Sequence, residues 1–210
     1  MTTPESSVHL GMKLPFGMST KNPLLNAIST NNLPTLRSLL EDQDCQLFSQ
    51  IAQNGTPETA AYLLSRHLIP EDYSQDPLSS NPTLNPTQYL ARESARNGNV
   101  ALFHYLINQH PSLLSTNNRT VERILLNAMD GGVGIWEIIL EHDPRWKDHE
   151  FSGHKGCVLE FAVEFGKKEV LEFLLSEGAD TDRAGDPVLE LARMRGAGSE
   201  ILELIKKYSV

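Results

Sequence analysis

Aligned against itself, the chain repeats. Six segments share one pattern: a short apolar helix ending in small residues, a Gly or Asn, and eight residues later the first of two large aliphatic residues. The Gly or Asn positions are Asn31, Gly55, Gly98, Gly131, Gly166 and Gly196. The aliphatic pairs are Leu39-Leu40, Leu63-Leu64, Leu106-Ile107, Ile139-Leu140, Leu174-Leu175 and Leu204-Ile205. Such a period constrains the fold more than any local propensity. A single unit cannot bury its apolar face alone, so each must stack on the next.

Local chemistry supports a helix pair in every unit. Three residues before each Gly or Asn lies Ile28, Ala52, Ala95, Ala128, Val163 or Arg193. Small side chains there let antiparallel helices approach closely. The Gly or Asn predicts a left-handed end to the first helix, a conformation that branched residues resist. Thr56-Pro57, Asn99 and Asn32-Leu33-Pro34 supply start signals for second helices. The aliphatic pair then buries the second helix against its neighbours.

This pattern resembles the ankyrin-repeat family, whose unit of about 33 residues carries T-P-L-H, A-A, Gly, L-L and G-A-D in order. The nearest segment is Val158-Leu159-Glu160-Phe161-Ala162-Val163-Glu164-Phe165-Gly166, followed by Val170, Leu174-Leu175 and Gly178-Ala179-Asp180. The last unit continues with Asp182, Gly185 and Pro187-Val188-Leu189-Glu190-Leu191-Ala192, and Asn22-Pro23-Leu24-Leu25-Asn26-Ala27 echoes the opening. The family's His position reads Leu25, Ser49, Arg92, Leu125, Glu160 and Glu190, a departure that removes its bracing of the turns. The resemblance implies an all-α, ankyrin-like solenoid of about six helix-turn-helix repeats over residues 21–207, with short or irregular finger loops. Residues 1–20 are expected to form an N-terminal extension or cap.

Two spacings depart from that period. Asn31 to Gly55 is only 24 residues, leaving a tight turn at 42–44 where the family has a finger. Gly55 to Gly98 is 43, and the surplus lies in Pro70 to Pro86, which holds Pro70, Pro77, Pro82 and Pro86 among Ser and Asn. This insertion reads as a long irregular loop, with Tyr73 and Leu78 as its contact residues should it bind anything.

Charge and cysteine content limit the function classes. A formal net charge of -9 opposes condensed contact with nucleic acid, which needs clustered Lys and Arg. Cys45 and Cys157 are too few for a disulfide framework and read as reduced thiols. The N-terminus lacks a basic segment followed by an apolar one, and no apolar run reaches membrane-spanning length. Cytosol or nucleus is the expected compartment, and a monomer the expected state.

Constellations that suggest chemistry are sparse. His142, His149, His154 and Cys157 lie close together with Asp143 and Asp148, yet their spacing fits no common zinc pattern. The histidines are expected to be exposed in loops, with no metal or other cofactor bound. Asp130-Gly131-Gly132-Val133-Gly134 follows a helix rather than a strand, so it reads as an interhelical turn and not a phosphate loop. Trp146 aligns with Leu113, a position expected under the finger, whereas Trp136 is harder to place.

Ankyrin-like proteins bind partners on the concave side, and the resemblance carries that expectation to the two residues before each Gly or Asn. The row ends in Arg96, Met129, Asp130, Glu164, Phe165, Met194 and Arg195; with Tyr73 these are the candidate partner-binding residues. Exposed Met and Phe flanked by acids would suit an apolar anchor carrying Lys or Arg. The expected function is a non-enzymatic interaction module, an adaptor, scaffold or inhibitor that binds another protein. The alternative is a small enzyme on a degenerate scaffold, with His149 or His154 and Asp148 or Glu150 as acid and base.

Overall fold

A computed structural model describes residues 38, 49, 51–65, 86–115, 119–152, 156–182 and 187–209. The chain divides into two compact units, Met1–Asp42 and Gln43–Val210. In the first only Ser38 is described, and it is helical. Asn31, Leu39-Leu40, Tyr73, Leu78, His154, the cap at 1–20 and the insertion up to residue 85 lie outside the described residues.

In the second unit the described residues are predominantly helical and include no strand. Helical residues 51–54 precede α1 (Pro57–Ser65), α2 (Pro86–Arg96), α3 (Val100–Gln109), α4 (Arg119–Gly131) and α5 (Val133–His142). Then come α6 (Val158–Glu164), α7 (Lys168–Ser176), α8 (Val188–Met194) and α9 (Ser199–Tyr208). Short 3-10 turns follow α3 at Pro111–Leu113 and α5 at Pro144–Asp148. One isolated antiparallel bridge joins Glu150 to Cys157.

Packing follows the repeat. The first helices touch in series, α2 on α4, α4 on α6 and α6 on α8, while the second helices do the same from α1 through α3, α5 and α7 to α9. Each first helix also packs on its own second helix, as in α2 with α3 and α8 with α9. The aliphatic pairs Leu106-Ile107, Ile139-Leu140, Leu174-Leu175 and Leu204-Ile205 are all buried, as are Ala52, Ala95, Ala128 and Val163, three residues before Gly55, Gly98, Gly131 and Gly166. Arg193, at the same position in the last unit, is exposed.

The helix ends show why Gly recurs. Gly98, Gly166 and Gly196 have φ near +67°, +65° and +69°. Each closes its first helix with paired backbone bonds: Gly98 N–H to Ala95 O and Asn99 N–H to Ser94 O, repeated by Gly166 with Lys167 and by Gly196 with Ala197. Asn99 then caps α3 by accepting from Leu102 N–H, while its amide donates to the carbonyls of Ala52 and Gly55 in the preceding unit.

Two of the predicted left-handed positions differ. In the fourth unit Gly131 stays helical and Gly132 takes the positive φ of 83°. Gly131 is required for space instead, because a Cβ there would stand 1.8 Å from the carbonyl oxygen of Ala95 on α2. Gly55 likewise serves close approach, with a Cβ falling 2.4 Å from the carbonyl oxygen of Ile51.

Candidate functional site

The edge formed by the C-terminal ends of the first helices carries most of the residues singled out from the sequence. Counted back from the positive-φ glycines Gly98, Gly132, Gly166 and Gly196, the residues two positions before are Arg96, Asp130, Glu164 and Met194, all exposed. Those one position before are Asn97, Gly131, Phe165 and Arg195.

Met129 does not belong to this edge. It is only 1% exposed and falls three positions before Gly132, in the slot held by Ala95 and Val163. Placing the turn at Gly131 put Met129 one step too far toward solvent. Two adjacent glycines made either register compatible with the sequence.

Among the described residues the exposed large apolar side chains are Val100 at 42%, Phe165 at 48% and Met194 at 72%. Each lies within two residues of a positive-φ glycine, so all three sit beside the interhelical turns, Met194 at the end of α8 and Val100 at the start of α3. Phe165 is backed by an aromatic file. Its ring lies 5.7 Å from Phe161, Phe161 meets Phe151 edge-on at 4.8 Å, Phe151 meets His149 at 5.1 Å, and His149 meets Trp146 at 5.1 Å. Edge-to-face contacts of this kind hold rings in fixed orientations. The file runs from the buried Trp146 under the finger to the half-exposed Phe165.

The acids on this edge are already matched. Lys167 Nζ lies 2.7 Å from Asp130 Oδ1, and Arg195 reaches Glu164 at 3.5 Å. Each pair joins one unit to the next. The two acids at these helix ends are therefore each paired with a cation of the next unit, while Glu190, one turn before Met194, is exposed.

The histidine cluster is dispersed. His142 is exposed, but His149 is only 8% exposed, contrary to its expected place in an exposed loop. The finger turns it inward, between Trp146 and Phe151, with Nε2 3.7 Å from Glu122 Oε1 on α4. Glu122 Oε1 also accepts from Ser152 N–H at 2.6 Å. Burial raises the Glu122 pKa as the largest single influence, yet the bonds from Ser152 and the facing His149 together hold it below the usual carboxylate value.

The other members have structural partners. Asp148 Oδ1 accepts from Asp180 N–H at 2.8 Å in the next finger, and Glu150 sits in the bridge to Cys157. Cys157 is buried, which pushes its thiol pKa up, and its N–H donates to Glu160 Oε2. Among the described residues no group of three His, Cys, Asp or Glu side chains is arranged to hold a metal ion. Trp146 is buried as its alignment with Leu113 implied, and Trp136 is fully buried on α5.

Sequence reasoning overlooked Phe161, Arg119 and Arg123, which share the exposed face of the first helices. Counting back three residues from Glu164, which lies on the exposed edge, would have found Phe161. No described helix is long and apolar enough to cross a membrane. In sequence the chain matches no protein-family model and no curated protein.

Proposed function

We propose that the Gln43–Val210 unit is an ankyrin-like stack of helix pairs that works as a non-enzymatic protein-interaction module. Serial packing of first helices on first helices and second on second supports the stacked reading. The partner would bind along the exposed face and C-terminal ends of the first helices.

The observation that carries this reading is that, among the described residues, the exposed large apolar side chains Val100, Phe165 and Met194 all lie within two residues of an interhelical turn glycine. Val100 also lies against Gly134 of α5, whereas Phe165 and Met194 are the more exposed two. Apolar and aromatic side chains held in a fixed, partly exposed setting are the usual anchors of a protein interface. The Glu164–Arg195 pair ties together the two helix ends that carry Phe165 and Met194.

Affinity purification from source cells with the wild-type chain and a Phe165→Ala, Met194→Ala double variant tests this. A protein retained by the wild type and lost with the double variant, at nearly equal melting temperatures, is the expected result. Retention by both chains would place the interface elsewhere. A large fall in melting temperature would show that the two side chains belong to the core.

A further inference from the structure

The exposed face of the first helices changes character from one unit to the next. Along α2 it presents Tyr89, Arg92 and Arg96, and along α4 Arg119, Arg123, Leu126 and Asp130. Along α6 and α8 it presents Phe161, Glu164, Glu190 and Met194. None of these is buried, and their spacing by three and four residues keeps them on one side of each helix.

Charge on α2 and α4 is not balanced. The acids of these two helices are engaged: Glu93 with Arg92 at 2.9 Å, Glu122 with Ser152 and His149, and Asp130 with Lys167. Arg92 also lies over the Tyr89 ring at 5.1 Å. Arg96, Arg119 and Arg123 make no ion pair with any described residue, and they sit on helices that pack directly on each other. Among the described residues, a chain with a net charge of -9 thus keeps three arginines without an ion-pair partner on one face.

We propose that this face takes an extended segment of a partner protein carrying Asp or Glu opposite α2 and α4 and an apolar side chain over Phe165 and Met194. The inference rests on the interaction-module reading and adds the class and direction of the partner. Complementary charge steers such an encounter and fixes its register, while the apolar anchor supplies most of the affinity. Glu190 beside the apolar end sets the direction, because it repels an acid placed there. A polyanion such as RNA fits less well, since three arginines are few against the phosphate spacing and the rest of the chain repels it.

The test is selection of a displayed random peptide library against the full chain, with the enriched peptides resynthesised and measured by fluorescence anisotropy. Three proteins are compared: wild type, Arg96→Gln/Arg119→Gln/Arg123→Gln, and Phe165→Ala/Met194→Ala. Expected are acidic peptides with an aliphatic or aromatic residue, bound about tenfold or more weakly by the arginine variant and more weakly as salt rises. Both variants should melt near the wild type, and Arg96→Gln alone, at an exposed site, should give part of the loss.

Neutral or basic peptides lost only with the Phe165/Met194 variant would overturn the acidic-partner inference and leave the interaction reading standing. Peptides indifferent to both variants, or no enrichment, would remove both. Arginine-dependent binding of oligouridine that displaces the peptides would assign the face to a polyanion instead.

Discussion

Gly131→Ala isolates the contact on which the stacking of α2 and α4 depends. In an ordinary helix interior this change is favourable by about 1 kcal/mol, because alanine has less backbone entropy to lose. Here the new Cβ would stand 1.8 Å from the Ala95 carbonyl oxygen, whereas real Cβ contacts essentially never fall below 3.0 Å. The helices must part by at least the difference between those distances. The opposing atom is backbone, so no side-chain rotation relieves it, and Leu90, Ala91, Ile124, Leu125 and Ala128 around it are fully buried. Overpacking costs typically about 1–3 kcal/mol, and a backbone clash belongs at the upper end.

Set against the propensity gain, the net loss is about 2 kcal/mol, or about 4–8 °C in melting temperature for a chain of this size. Differential scanning calorimetry of Gly131→Ala beside Gly132→Ala checks it. Gly132 has nothing within 4 Å of a new Cβ, but its φ of 83° and ψ of -171° lie in a region almost reserved to glycine, so its loss of about 1–3 kcal/mol comes from strain alone. A rise in melting temperature for Gly131→Ala would refute the close approach of the two helices.

Other consequences follow from single residues. Asn99→Ala removes the cap on α3 and two donors to the preceding unit, and chemical denaturation should show a loss of about 2 kcal/mol, with Asn99→Asp in between because it keeps only the acceptor. The Glu122 carboxyl is held below its ordinary value in the fold, so its stabilisation is present above the unfolded value and lost as pH falls through the folded one. Wild type should therefore exceed Glu122→Gln in melting temperature at neutral pH, and the gap should shrink on acidification below about pH 4.5; a gap independent of pH would contradict the ionised pairing. The Phe165→Ala, Met194→Ala variant should lose less than about 1 kcal/mol of stability while losing partner affinity, read by calorimetry and pull-down in parallel.

How far the sequence carries depends on whether a feature is local. The buried aliphatic pairs and the closures at Gly98, Gly166 and Gly196 follow from spacing and backbone chemistry within one unit, and they are found where the sequence places them. Met129 was misplaced because Gly131 and Gly132 offer two registers, and only the approach of α4 to Ala95 chooses between them. His149 reads as a loop residue because its partner Glu122 lies on the first helix of the preceding unit, a contact no local pattern announces. The charge balance of the exposed face was equally hidden. Asp130 and Glu164 read as acids available to a partner until Lys167 and Arg195 are seen bonded to them, and the arginines without an ion-pair partner among the described residues emerge only by that subtraction.

Hydrogen exchange of the full chain, with and without the partner or peptide recovered by its binding, tests the location of the interface most directly. Slowed exchange is expected at the ends of α2, α4, α6 and α8 and their turns, above all around residues 161–167 and 190–197, with α3, α5 and α7 unchanged. Protection confined to those second helices would contradict it.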